Sequence, residues 1–282
     1  MRCREYGRSV VIRLNNREFE EIVSYIRSNY GINLEKKQVL IECRMAREIE
    51  KRGLTSFTQY MEQMRNDRSG EMAGEMINRI TTNYTYFMRE PAHFSALYND
   101  ILPDLFEDRG MGICNIWSAG CSTGEEVYSV AMLVQDYREG GARMPGIRIT
   151  ATDISGEALK KAEEGIYPLK ELESLPGPWQ RKYCHVRDGN TFAVDERLRY
   201  NIRFRRHNLM EQPPGADKYD LILCRNVMIY FDRQSRGRLI RQLEQCLKPG
   251  GYLLVGHAEL LAADETGLKA VYPAVYKNIK TR

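Results

Sequence analysis

The sequence predicts an α/β fold built on a mostly parallel sheet. A small all-helical domain precedes the sheet, and a small antiparallel β element is inserted within it. Three observations predict this. Residues 1–80 show apolar positions only at helical spacing, with no alternating β-branched run. From about residue 110, β-rich apolar runs alternate with helical segments, the pattern of βαβ units. Residues 170–200 interrupt that alternation with Pro176, Gly177, Pro178 and the turn pair Asp188-Gly189.

Each element has its own signal. Asn15 or Asn16 caps a first helix with apolar positions Phe19, Ile22, Val23 and Ile26, stopped at Gly31. A second helix is expected from about Glu35 to Arg52, ending at Gly53. A third starts near Thr55 or Ser56 and carries Phe57, Tyr60, Met61 and Met64. A fourth carries Met72, Met76, Ile77 and Ile80. Strands are expected at Ile113–Ser118, Ile147–Asp153, Ile202–His207, Asp220–Cys224 and Tyr252–His257, with a further run at Val271–Ile279. Helices between them cover Glu125–Tyr137, Glu157–Glu164 and Gln234–Leu247. The expected division is a helical domain over 1–80 and a sheet domain over 81–282, with the β insert at about 170–206.

Composition excludes several classes. No apolar run approaches the ~18 residues that cross a bilayer. The opening MRCREYGRSV has no apolar core, which predicts no secretory signal. Seven cysteines (Cys3, Cys43, Cys114, Cys121, Cys184, Cys224, Cys246) form no CxxC pair, as expected of reduced thiols in a cytoplasm. His93, His185, His207 and His257 are scattered without metal-ligand spacing, so no metal is expected. Lys and Arg number 42 against 38 Asp and Glu, a net +4 that is too weak to argue for nucleic acid.

The most informative segment is GICNIWSAGCSTGEEVYSVAMLV. A buried strand runs into a loop with Gly120 and Gly124, and a helix opens at Glu125. In parallel α/β sheets, ligands bind at the carboxyl edge of the strands. The GxGxxG spacing is absent, and two glutamates occupy the helix start, where a pyrophosphate would need an anion-free end. An acidic first turn suits a cationic or hydroxyl-bearing ligand instead; an ordinary βα turn would also use these glycines. The second strand ends at Asp153, a position suited to accepting ribose hydroxyls. Its alternative is a helix N-cap, a job Ser155 does equally well. Asn208 follows the third strand, as an adenine contact or a turn residue. Arg225 and Asn226 follow the apolar fourth strand, and a Pro-Gly-Gly turn precedes the fifth. In this order the features look like a class I S-adenosylmethionine-dependent methyltransferase, Rossmann-like in fold.

One segment goes further. TTNYTYFMREPAHF (81–94), together with WSAGCSTGEE, ATDIS, NLM and CRNVMIYFD, closely resembles the chemoreceptor glutamate methyltransferases of the CheR family. The resemblance covers nearly the whole chain. It implies S-adenosylmethionine as cofactor, S-adenosylhomocysteine as product, and no metal. It implies that Asn83, Thr85 and Arg89 contact the cofactor, with Arg89 on the methionyl carboxylate. Glu125 would face the amino group and Asp153 the ribose, with Asn208 and Leu209 flanking the adenine. Ala119 would line the loop, and Arg225 and Asn226 the pocket near the methyl group. Arg225 and Tyr230 are the candidates to orient the acceptor carboxylate, with core packing as the alternative for Tyr230. A glutamate acceptor is already ionised at pH 7, its reference pKa being ~4.3, so no catalytic histidine or cysteine is expected. The amino-methylating DNA enzymes place (D/N)PP(Y/F) where this chain has CRNVMIYF, which argues against them. The other competing readings are a methyltransferase for another protein or small-molecule substrate and a receptor adaptor that binds the cofactor without turnover.

The second helix carries Lys37, Arg44, Arg47 and Lys51 within one arc at roughly 100° per residue. A solvated face is the plain reading. The resemblance makes it a receptor-docking face for acidic methylation helices, a pairing that charge steers. Residues 1–80 hold 15 Lys and Arg against 12 Asp and Glu, so +3 of the net +4 lies there. The implied protein is a cytoplasmic monomer associated with receptor arrays, with no nucleic-acid partner and no membrane insertion.

Overall fold

A computed structural model of the chain describes residues 12–81, 84–110, 112–141, 143–215 and 218–280. The chain divides into two compact units, residues 1–82 and 83–282.

The first unit contains α1 (Asn16–Tyr30), α2 (Gln38–Lys51), α3 (Phe57–Asn66) and α4 (Glu71–Ile80). Asn15 is the cap of α1 and forms a capping box with Glu18: its side chain accepts from Glu18 N at 2.9 Å, and Glu18 accepts from Asn15 N at 3.1 Å. The other Glu18 oxygen accepts from the amide and hydroxyl of Thr58, each at 2.9 Å, tying α1 to the start of α3. Helix α2 begins at Gln38, three residues later than its pattern suggests, because Asn33 holds a turn through the Glu35 amide. Ile22, Ile26, Ile41, Met45, Ile49, Phe57, Met76 and Ile77 are fully buried.

The sheet unit opens with α5 (Pro91–Ala96), a π turn and α6 (Leu102–Arg109). It continues through β1 (Ile113–Ala119), α7 (Glu125–Glu139), β2 (Gly146–Asp153), α8 (Gly156–Glu164), β3 (Ile166–Pro168), α9 (Gly177–Tyr183), β4 (Cys184–Val186) and β5 (Thr191–Val194). It ends with α10 (Glu196–Arg199), β6 (Ile202–Arg206), β7 (Tyr219–Cys224), α11 (Arg233–Cys246), β8 (Leu247–Val255), β9 (Lys269–Tyr272) and β10 (Val275–Lys277). The main sheet has the order β6-β2-β1-β7-β8-β10-β9. Its first five strands are parallel and β10 and β9 antiparallel.

Alternation along the strands divides the core. Cys114, Ile116, Ile149, Ala151, Leu221 and Leu254 face α7 through Val127, Val130 and Val134. Trp117, Ala119, Ile222, Cys224 and Leu253 face α11 through Leu239, Ile240 and Leu243. Two expectations change. The run at 271–279 is not one strand, because Pro273 and Ala274 (φ 60°) turn it into the β9–β10 hairpin. The small sheet, of order β3-β5-β4, begins at Ile166, ahead of the expected insert, as soon as Gly165 (φ 60°) ends α8. Its Asp188-Gly189 turn forms as the dipeptide predicts, with Asp188 accepting from the amides of Asn190 and Thr191. No helix among the described residues is long and apolar enough to cross a membrane.

Candidate active site

Parallel packing brings the ends of β1, β2, β6 and β7 to one edge, where Ala119, Asp153, Asn208, Leu209, Arg225 and Asn226 either end a strand or follow one. The loop after β1 is held flat on its neighbour: Gly120 N and Cys121 N both donate to Thr152 O, at 2.8 and 2.9 Å. Gly120 has φ 91°, and a Cβ there would sit 2.4 Å from Val227 Cγ2. Gly124 has φ 96°, and its Cβ would meet the Ala162 Cβ at 2.8 Å. Backbone conformation and space therefore both require glycine at these two positions.

Asp153 is buried, and its two oxygens accept one backbone N–H each, from Ser122 and Ser155 at 2.8 Å. Burial raises its pKa, opposed by those amides. The helix cap is Ser155, whose hydroxyl accepts from Ala158 N. With the Ile154 amide as a third backbone donor, Asp153 keeps about one of its roughly four lone-pair sites for a ligand.

The two glutamates that open α7 diverge. Glu125 is 4% exposed, and both its oxygens accept from the Thr123 hydroxyl at 2.7–2.8 Å. Burial pushes its pKa up to about 7, opposed by that hydroxyl. Glu126 instead accepts from the Ser118 hydroxyl at 2.7 Å and from Arg225 Nη1 at 3.0 Å.

Arg225 is the hub. Its side chain is 1% exposed, and its guanidinium pairs with Glu126 and Glu90, each at 3.0 Å, and donates to the Arg89 carbonyl. It also lies over the Phe94 ring, 5.6 Å from the centroid. Burial works against the Glu90 charge, but Arg225 overrides it and holds the carboxyl below its usual value. Glu90 further accepts from Asn226 Nδ2 at 3.3 Å and from His257 N at 3.2 Å. Glu259, 2% exposed, accepts from Asn226 N, Gly256 N and Ile229 N, pinning the loop after β7 to the loop after β8. Met88, Glu90, Ser122 and Asn226 all have positive φ between 49° and 59°. Strain of this kind concentrates where a site over-determines its backbone.

The remaining expected positions fall as follows. Asn83 lies outside the described residues. Thr85 is half-buried in the loop that follows. Arg89 donates to the Tyr84 carbonyl at 2.9 Å, its guanidinium 5.9 Å from the rings of Tyr84 and Tyr86. Asn208 turns its side chain onto Met210 N at 3.0 Å. Tyr230 is 38% exposed and is not packed in the core.

Two expectations need correction. The histidines are not all scattered: His93 and His257 meet edge to face, with ring centroids 4.7 Å apart, beside Glu90. Burial and then the Arg225 charge lower the His93 pKa to about 4, so this ring is neutral. Arg44 is not a free member of a basic face. It is half-buried, and its Nη1 donates to the carbonyls of Arg79, Ile80 and Thr81 at the end of α4. Lys37, Arg47 and Lys51 are exposed. Sequence reasoning missed Glu90, Glu126 and Glu259 as organisers, and the only available signal was a carboxylate amid apolar or glycine-rich text.

A family model described as CheR methyltransferase, SAM binding domain, matches residues 83–276. Another, described as CheR methyltransferase, all-alpha domain, matches residues 17–81. A chemotaxis protein methyltransferase of Borreliella burgdorferi is 39% identical over 271 residues, covering 94% of this chain and 95% of that protein. The chain is also similar to chemotaxis protein methyltransferase 2 of Pseudomonas aeruginosa, with 34% identity over 264 residues and 92% of each chain covered.

Proposed function

The chain belongs to the CheR methyltransferase family, and from that premise we propose that it transfers a methyl group from S-adenosylmethionine to glutamate side chains of chemoreceptor cytoplasmic domains. The observation that carries this reading is the pair of buried carboxylates at the sheet edge that have no ion-pair partner among the described residues. Glu125 is buried with its carboxylate engaged by a neutral hydroxyl, and Asp153 by backbone amides, so the negative charge of each is left for a ligand. They fit the ammonium and the ribose hydroxyls of the cofactor, with Asn208 and Leu209 at the adenine and Ala119 beneath the loop. Arg89, with Asn83 and Thr85, takes the methionyl carboxylate through a guanidinium fork.

When bound, S-adenosylmethionine supplies a methyl group on a sulfonium leaving group. The acceptor glutamate arrives ionised, so the residues' task is alignment, an effect worth about 7–11 kcal/mol in well-oriented systems. Tyr230 offers an accessible hydroxyl to the acceptor carboxylate. Arg225 has no such freedom while Glu90 and Glu126 hold it, so its role is to set the loops around Asn226 and Arg89. The test is transfer of labelled methyl to a purified receptor cytoplasmic domain. Base-labile label on glutamate is expected. Base-stable label would defeat the glutamyl ester, and cofactor binding with no label on any receptor would favour the adaptor.

Glu125 makes cofactor binding pH-dependent. With a pKa of about 7 it is mostly protonated at pH 6 and mostly ionised at pH 8, and only the ionised form pairs with an ammonium. Affinity for S-adenosylhomocysteine should therefore rise across that interval, with a proton released on binding near pH 7. Titration calorimetry in buffers of different ionisation enthalpy reads both effects. Glu125→Gln should bind weakly and lose the pH dependence; a parent affinity that is flat from pH 6 to 8 would contradict the assignment.

Docking on the receptor falls to Lys37, Arg47 and Lys51. Arg47→Glu with Lys51→Glu should lower receptor methylation several-fold at an unchanged melting temperature. Arg44→Glu should instead cost about 2 kcal/mol of stability, because it removes a charged donor from three carbonyls. A double variant that methylates receptor as fast as the parent would remove the docking role.

A further inference from the structure

Half of one face of the main sheet lacks an apolar surface. Asn115, Trp117 and Ala119 alternate onto one face of β1, and register carries that face across β2 and β6. Asn115 pairs with Arg148 and Trp117 with Thr150, and Thr150 and Thr152 pair with Arg203 and Arg205. Towards β7 and β8 this face is covered by α11. Over β2 and β6 it presents arginines and threonines. The opposite face of the same two strands is apolar, with Ile147, Ile149, Ala151, Ile202 and Phe204. A cavity of about 230 Å³ lies on this half, lined by Asn115, Arg148, Thr150, Arg203, Arg205 and Tyr219 and bordered by Pro214 and Gly215 of the loop after β6. Most of these residues stand near the start of their strands, away from the Gly120 loop.

Three guanidinium groups therefore share one small cavity. Arg203 and Arg205 have no acidic partner within ion-pair distance among the described residues. The nearby buried carboxylate, Asp220, is occupied by Lys248 Nζ at 2.9 Å and Asn115 N at 2.7 Å. A second feature points to a ligand. Asn115 is 7% exposed, and its side-chain oxygen is buried with no hydrogen-bond partner. A buried acceptor left unmatched is costly unless a donor fills the space beside it.

We propose that this cavity is a binding site for a small phosphomonoester that also carries hydroxyl groups. Arginines match phosphate oxygens with paired, charge-assisted donors. The Asn115 oxygen needs a donor, which a hydroxyl of an organic phosphate supplies while its phosphate group stays on the arginines. The volume is below the ~300–1,000 Å³ of drug-sized pockets, and a helix about 10 Å across does not enter it. The occupant is thus a compact organic phosphate, and it binds apart from the edge that carries Asp153 and Glu125.

Ribose 5-phosphate is a suitable probe, titrated calorimetrically into the full chain with S-adenosylhomocysteine saturating, so that the cofactor site does not contribute. Saturable binding is expected, weaker for inorganic phosphate and absent for ribose. The Arg203→Ser/Arg205→Ser variant, altered at exposed positions only, should bind ribose 5-phosphate at least about tenfold more weakly with its melting temperature unchanged. No saturable binding, or binding that the double variant leaves intact, overturns the site. Equal affinity for inorganic phosphate overturns the assignment to an organic ligand.

Discussion

Arg225→Met should abolish methyl transfer and cost about 3–5 kcal/mol of stability, the range for breaking a buried ion pair from one side. The guanidinium is the shared partner of two shielded carboxylates, Glu90 and Glu126, whose side chains are 14% and 13% exposed. Removing it leaves both charges facing each other across an apolar replacement. It also frees the Arg89 carbonyl and releases Glu90, which otherwise holds Asn226 and the His257 amide. In a unit of this size, the loss corresponds to a fall in melting temperature of roughly 6–20 °C. A triple variant separates fold from function. Glu90→Gln/Glu126→Gln/Arg225→Met removes the uncompensated charges and should regain most of the stability, yet remain inactive because the strained loops have lost their common anchor. A single variant that melts with the parent, or a triple variant that recovers transfer, would refute the role given to Arg225.

That hub shows where sequence reading stops. Elements were legible because their signals are local. The cap signal of Asn15 or Asn16 resolves to Asn15, and the β-rich runs that hold IRITAT and IRFRR form paired strands. The ligand-facing edge was legible too, since a strand, a glycine loop and a terminal carboxylate recur at regular spacing. Glu90 and Glu126 were not, because they acquire their role from an arginine 135 and 99 residues away. Arg44 misled for a related reason. Its helical arc is real, but the α4 carbonyls that claim it lie 35–37 residues on, where no periodicity points. His93 and His257 likewise meet only because α5 and the loop after β8 pack together.

Asp153→Asn should weaken S-adenosylhomocysteine binding by about a hundredfold, as expected from losing charged acceptors worth roughly 1.5–3 kcal/mol per hydrogen bond. The substitution preserves shape, so the cause is chemical. Both carboxylate oxygens already accept a backbone N–H, one from Ser122 and one from Ser155. An amide has one oxygen and one NH₂, so either orientation sets a donor against a donor. If the NH₂ faces Ser122, whose φ is 49°, the loop that carries Gly120 and Gly124 loses its tie to β2. If it faces Ser155, the cap of α8 shifts instead. In both cases the ribose meets a weaker acceptor on a looser loop. The defect should sit in affinity: the KM for S-adenosylmethionine rises far more than kcat falls, because Asp153 is remote from the transferred methyl in this assignment. Calorimetry with S-adenosylhomocysteine, paired with initial rates at saturating cofactor, separates the two. An affinity within about threefold of the parent would show that Asp153 serves only its own backbone, and the ribose would then have to be sought elsewhere on the sheet edge.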